Sequence, residues 1–213
     1  MKYTYWMAAA GLFLAACSSN DNERKLPIYG ERTAVKTTVD GKEKTDTLYQ
    51  TIPSFRFADQ DGDTTTNQTF EGKVYVADFF FTSCPSICPI MSRNMKTLYD
   101  TFKDNDQVRF LSHSIDPRHD SVPALKEYAQ KLGVNDRRWL FVTGPKEVIY
   151  PLAEKNYLVA VNEDGKAPGG FVHQGYFVLV DKKKRIRGAY DGTDKTQVQK
   201  LGEDIGLLLS EKE

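Results

Sequence analysis

Cys84, Cys88 and His173 are the residues of this 213-residue chain whose chemistry can be read before its fold. The two cysteines stand in the run Phe79-Phe80-Phe81-Thr82-Ser83-Cys84-Pro85-Ser86-Ile87-Cys88-Pro89, where an apolar segment meets two prolines and stops being a strand. Paired thiols at such a turn suit either thiol–disulfide exchange or a soft metal ion such as Cu(I). A bridge closing so small a loop removes little entropy from the unfolded chain, so stapling alone is a poor reason for the pair. His173 sits in Phe171-Val172-His173-Gln174-Gly175, just before a second strand-like run. A fold that brings these two turns together makes an S,S,N site. Structural zinc is usually closed by four ligands, and neither a fourth cysteine nor a partner histidine offers itself; Cu(I) accepts softer and fewer donors.

The elements that must hold these residues follow from hydrophobic periodicity. Residues 74–81 are almost continuously apolar, which predicts a central strand buried on both faces. Ile87, Met91, Met95, Leu98 and Phe102 then recur at helical spacing, with both methionines at core positions. That helix is expected to open just after Cys84, with Pro85 near its first position, so that its N-terminal amides favour a thiolate at Cys84 and Cys88 lies one turn along. Strands are expected at 108–115 and 139–142 and helices at 121–132 and 145–156. Strands at 176–180 and 185–190 flank a turn, and a helix at 195–209 closes the chain. This order implies an α/β mixed sheet with helices on both sides. Right-handed crossovers gather the loops that leave the parallel strands at one edge, bringing the cysteine turn and the Asp116 turn together. Asp116 is suited either to capping its own turn or to standing beside a bound metal. His113 and His119 read as packing or surface residues.

Upstream lies a different kind of sequence. Lys2 is followed by an apolar or small stretch over 6–16, too short for the ~20 residues of a membrane-spanning helix. The stretch closes with Leu14-Ala15-Ala16 before Cys17 and matches a cleavage site. Residues 1–16 resemble a bacterial lipoprotein signal, which makes Cys17 the lipidated first residue of the mature chain and places it on a membrane of the cell envelope, facing the periplasm. Residues 17–25 read as a polar tether. Residues 26–51 carry β-branched residues about a Val39-Asp40-Gly41-Lys42 turn and predict a peripheral hairpin, the N-terminal β extension. Residues 52–213 suffice for one domain. With 29 basic and 29 acidic residues the formal net charge is +0, which argues against nucleic acid as a partner.

Ile52-Pro53-Ser54-Phe55, Asp59-Gln60-Asp61-Gly62 and the Cys84-Pro85 turn, in this order of elements, resemble a thioredoxin-like fold. Cys84-Pro85-Ser86-Ile87-Cys88-Pro89 with Met91, then Ser114-Ile115-Asp116-Pro117-Arg118-His119-Asp120, then His173 before a strand, are similar to the Sco/SenC family over roughly residues 50 to 209. The resemblance implies a copper ion held by Cys84, Cys88 and His173. It also implies a metallochaperone that assists assembly of the binuclear copper centre of cytochrome c oxidase, with the oxidase's copper-bearing subunit or another copper protein as partner. His173 falls where ordinary thioredoxins carry a cis-proline facing the cysteines. Ser83 and Val172 depart from the family, which often has a bulky polar residue before the first cysteine and an acidic one before the histidine. Two other functions use the same thiols: a thiol–disulfide oxidoreductase that keeps target cysteines reduced for metallation, and a peroxiredoxin-like peroxidase. The peroxidase lacks the usual proline ahead of Thr82 and leaves His173 without a task.

Overall fold

Seven strands in the order β11-β10-β5-β6-β7-β3-β4 make the central sheet of the computed structural model, which describes residues 24–39 and 41–211. In chain order the strands are β1 (Arg32–Val39), β2 (Lys42–Tyr49), β3 (Arg56–Asp59), β4 (Thr64–Thr66), β5 (Val74–Phe80), β6 (Val108–Ser114), β7 (Trp139–Thr143), β8 (Val161–Glu163), β9 (Phe171–His173), β10 (Tyr176–Val180) and β11 (Ile186–Asp191). Four helices accompany them: α1 (Cys88–Thr101), α2 (Val122–Lys131), α3 (Lys146–Pro151) and α4 (Lys195–Ser210). β5, β6 and β7 run parallel, while β10 and β11 on one side and β3 and β4 on the other pair antiparallel. This is the expected thioredoxin-like mixed sheet flanked by helices.

Every residue of β5 is buried, as a strand covered on both faces requires. Alternation along the neighbouring strands sorts the aromatic side chains into two layers. Phe80, Phe110, Trp139 and Phe141 meet Tyr99 of α1 and Tyr128 of α2 on one face. On the other, Phe79 and His113 stack at 5.0 Å and meet Phe55, Phe57 and Tyr157. Helix starts follow local chemistry: Pro123 sits in the first turn of α2, and the Asp194 carboxylate caps α4 by accepting from the amides of Thr196 (2.7 Å) and Gln197 (3.3 Å), a contact of the kind worth about 1 kcal/mol.

Two expectations need correction. α1 opens at Cys88 with Pro89 in its first turn, so Cys84 and Pro85 lie in the loop before the helix. Pro89, which lacks an N–H, sits in the first turn where no backbone donor is needed, while Pro85 biases Cys84 before it away from helical geometry. The stretch expected as one helix over 145–156 is α3 followed by a wider π-type turn at Leu152–Tyr157, beginning where Pro151 removes a backbone donor.

β1 and β2 form the expected antiparallel ribbon, paired from Arg32↔Tyr49 to Val39↔Lys42. Leu26 nevertheless belongs to the core, and the extension is fastened at one end of the sheet. There the buried Arg187 guanidinium donates to Leu26 O (2.8 Å), Pro27 O (3.1 Å), Asp181 (3.1 Å) and both Glu211 oxygens (2.6 and 2.9 Å). Residues 1–23, with the proposed signal, Cys17 and most of the tether, lie outside the described residues.

Candidate metal centre

The loop that leaves β5 is shaped by a buried carboxylate. Asp120 accepts from Thr82 through its amide (3.2 Å) and hydroxyl (2.5 Å), and from Ser114 Oγ at the end of β6 (2.6 Å). Thr82 is thereby held against the adjacent parallel strand, and Cys84 N closes a turn on Phe81 O at 3.2 Å. Cys88, the first residue of α1, is buried beside it. His173 arrives from the opposite side at the end of β9, which pairs with β8 as Val161↔His173. Its ring meets Phe81 edge-on, and Phe81 in turn packs on Phe171.

Cys84 Sγ, Cys88 Sγ and one ring nitrogen of His173 all lie within 4.8 Å of one another. Cys88 Sγ is 3.4 Å from His173 Nε2, and Cys84 Sγ is 3.6 Å from Ser86 Oγ. Both cysteines are unbridged and buried, and among the described residues His173 Nδ1 is buried without a partner. The donors are soft or borderline, with no carboxylate in the cluster, so the set suits copper better than a hard cation.

The thiols differ sharply in acidity. A hydrogen bond from the Cys88 thiol, aided by His173, holds Cys84 down at about 3 against the opposing effect of burial, while Cys88 is pushed up by the same bond and by its own burial. The first proton lost by the pair therefore leaves its charge on Cys84. The acidity of Cys84 has its cause in the neighbouring thiol and imidazole and not in a helix start, since α1 opens only at Cys88.

Asp116 is buried 3 % exposed, takes its place through Asp116 N to Ser114 Oγ (3.1 Å), and pairs its Oδ2 with His119 Nδ1 at 2.6 Å. It is not among the three clustered donors, but it shares a groove with Ser83 and Phe171 beside them. His113 is fully buried among aromatic rings and, as a packing residue, lies apart from the thiols. Met91 and Met95 are buried, and Met91 Sδ lies against Gly175, so α1 supports the loop after His173.

Asp78, Ser86 and Asp120 were given no role by sequence reasoning. Asp78, six residues before Cys84, is pushed up to about 7 by burial, opposed by its 2.5 Å bond from Ser112 Oγ and by His173. Its one visible signal was a carboxylate inside an otherwise apolar strand, where an acid is costly unless paired or neutral.

Sheet order, helix layers and a histidine facing two thiols define a thioredoxin-like protein whose cysteine turn carries a metal-competent donor set. Comparison with known proteins narrows this. The SCO1/SenC family model matches residues 43–206. The SCO1 protein homolog of Bacillus subtilis (strain 168) is 32% identical over 170 residues, covering 78% of this chain and 86% of that one. The structure of a SCO1/SenC family lipoprotein from Bacillus anthracis str. Ames superposes with a TM-score of 0.69 at 31% identity, over 76% of this chain and 96% of the other. BsSco, described with a disulfide switch as a member of the Sco family of cytochrome c oxidase assembly proteins, gives 0.67 at 30%, over 76% and 95%. The chain belongs to the SCO1/SenC family.

Proposed function

We propose that this protein is a membrane-anchored carrier that holds one copper ion on Cys84, Cys88 and His173 and passes it toward the binuclear copper centre of a cytochrome c oxidase. The observation that carries the reading is the S,S,N cluster within 4.8 Å at the mouth of a sheet edge. Two thiolates and one imidazole hold copper without closing its coordination sphere, and an incompletely ligated ion can be handed on. Metal content after anaerobic purification, with and without His173, tests it. One copper per wild-type chain and clear loss in His173→Ala are expected; unchanged stoichiometry and affinity in the variant would reject the three-ligand site.

The anchor is part of the proposal. Cys17, lipidated at the end of the leader, would hold the domain at the membrane facing the periplasm, where confinement raises encounters with a membrane-bound target. Cys17→Ser should release the protein to a soluble fraction and leave copper binding intact.

A second reading rests on the acidity difference between the thiols. A thiolate at Cys84 beside a buried Cys88 thiol is the arrangement of a dithiol reductant, which would keep target cysteines reduced for metallation. Complementation of a deletion strain by His173→Ala separates the two: full oxidase activity without added copper would favour the reductant.

A further inference from the structure

The groove beside the thiols contains a histidine that neither copper binding nor packing employs. Ser83, Asp116, His119, Glu163, Gly169 and Phe171 are among the residues lining a cavity of about 590 Å³, within the size range of ligand sites. Ser83 immediately precedes Cys84, and Phe171 is two residues before His173, so the cavity is walled by the chain neighbours of both halves of the candidate metal centre. Its glycine wall leaves backbone in place of side chains, room for an incoming polypeptide segment.

Inside this groove Asp116 and His119 form an oriented pair. The carboxylate is buried and fixed, and it meets His119 Nδ1 at 2.6 Å, while the imidazole itself is 72% exposed. A carboxylate only accepts hydrogen bonds, so Nδ1 carries the hydrogen, and in the neutral ring the lone pair is the one on Nε2. A buried acceptor that fixes the tautomer and ring of an exposed histidine is the relation found in hydrolytic triads and behind metal-bound imidazoles. The second Asp116 oxygen is buried without a partner among the described residues. Glu163 across the groove is already held by Arg118 (3.2 Å) and Lys146 (2.7 Å), and Asp120 by Thr82 and Ser114. His119 is thus the base that the groove presents.

We infer that His119, oriented by Asp116, accepts the proton of the thiol on the protein that takes copper from Cys84, Cys88 and His173; this rests on the copper-carrier function proposed above. An acceptor thiol cannot bind copper until it loses its proton. In the step, the acceptor S–H bond breaks and its proton moves to His119 Nε2. The new thiolate bonds to copper as the copper–Cys84 bond breaks, and Cys84 leaves as a thiolate. Copper keeps its oxidation state and no electron is transferred. The proton then passes from the exposed imidazole to water. The partner is thereby specified chemically: a copper acceptor with thiol ligands, presented on a segment that enters the groove.

Stopped-flow transfer from the full chain loaded with one Cu(I) tests this, using two acceptors: a peptide with two cysteines and a phenanthroline-type nitrogen chelator, which has no proton to lose. His119→Gln keeps a side-chain donor for Asp116 but accepts no proton at neutral pH. The expected result is that His119→Gln and His119→Ala both slow transfer to the peptide about a hundredfold or more, at the modest end of general-base effects. Transfer to the chelator and copper affinity should not change. His119→Gln matching wild type while His119→Ala is slow would make His119 a support of the turn, and equal slowing toward both acceptors would make it a determinant of access; either overturns the inference. If the wild-type chain loads no copper, the carrier function falls and this inference with it. If it loads copper and every variant transfers like wild type, only this inference falls.

Discussion

The two ends of the central sheet are built on opposite rules. At the end holding the turn between β10 and β11, Arg187 makes five hydrogen bonds to two backbone carbonyls and two carboxylates, using its donor capacity in full. At the end where β5 and β6 run out, His173 Nδ1 and Asp116 Oδ1 are buried without partners among the described residues, and two unbridged cysteines face an imidazole. Saturation makes the first end a fastener for the N-terminal extension. Incompleteness makes the second available to an ion or a partner, because an unpaired buried donor set gains most from a ligand that completes it.

The largest effects should come from emptying the incomplete end. Cys84→Ser, Cys88→Ser or His173→Ala should each lower copper affinity by more than the ~10–100-fold typical of losing an outer partner of a ligand. Stability of the metal-free fold should stay within about 1 kcal/mol, measured by urea unfolding. Arg187→Met should do the reverse. It leaves Glu211 and two carbonyls short of their buried donor and should cost about 3–5 kcal/mol, with copper stoichiometry and affinity unchanged. If Arg187→Met weakens copper binding, or if a cysteine variant unfolds the domain, the two ends are not independent.

Two histidines give the next contrast. His173 stands half-buried among sulfurs, whereas His113 is fully buried with both ring nitrogens unpaired, and burial holds it down to about 3. In the unfolded chain an imidazole takes up its proton near pH 6.5. As pH falls below that value the unfolded state gains a proton that the folded one refuses, so stability is lost at up to about 1.4 kcal/mol per pH unit until about pH 3. Above pH 7 the group contributes no such slope. His113→Phe keeps an aromatic ring in the Phe55–Phe57–Phe79 cluster and should remove this acid sensitivity, so its urea midpoint should fall less than that of wild type between pH 6 and pH 4. Parallel curves would show that His113 is protonated in the fold.

What could be read from the residues was whatever has a period or a chemically distinctive type. β5 was legible because an unbroken apolar run has one stable location, and Cys84, Cys88 and His173 because sulfur and imidazole at turns have few structural uses. The start of α1 lies three residues later than the spacing implies, because two prolines each suit a first turn and spacing does not choose between them. Asp120 and Asp78 were illegible as site residues: their work depends on Thr82, Ser114 and Ser112, which only the parallel pairing of β5 with β6 brings near. His119 looked like a surface residue because nothing local reveals that Asp116 beside it is buried.

The smallest predicted effect tests how the incomplete end keeps its shape without saturating its donors. Gly169 and Gly170 both adopt left-handed backbone, φ +78° and +83°, just before β9. A Cβ at Gly169 would lie 2.7 Å and 2.8 Å from the Phe81 ring and 3.1 Å from Pro85, whereas one at Gly170 or Gly165 would meet nothing within 4 Å. Phe81 contacts both Phe171 and His173, so packing against Gly169 seats the imidazole from behind. Gly170→Ala should therefore cost only backbone strain, about 1–2 kcal/mol, and Gly165→Ala almost nothing. Gly169→Ala should cost the same strain and also displace the Phe81 ring, lowering copper affinity by less than removal of His173 itself. Measuring stability and copper affinity together for the three variants separates strain from contact. Equal loss of copper affinity in Gly169→Ala and Gly170→Ala would mean that loop conformation, and not the Phe81 contact, positions His173.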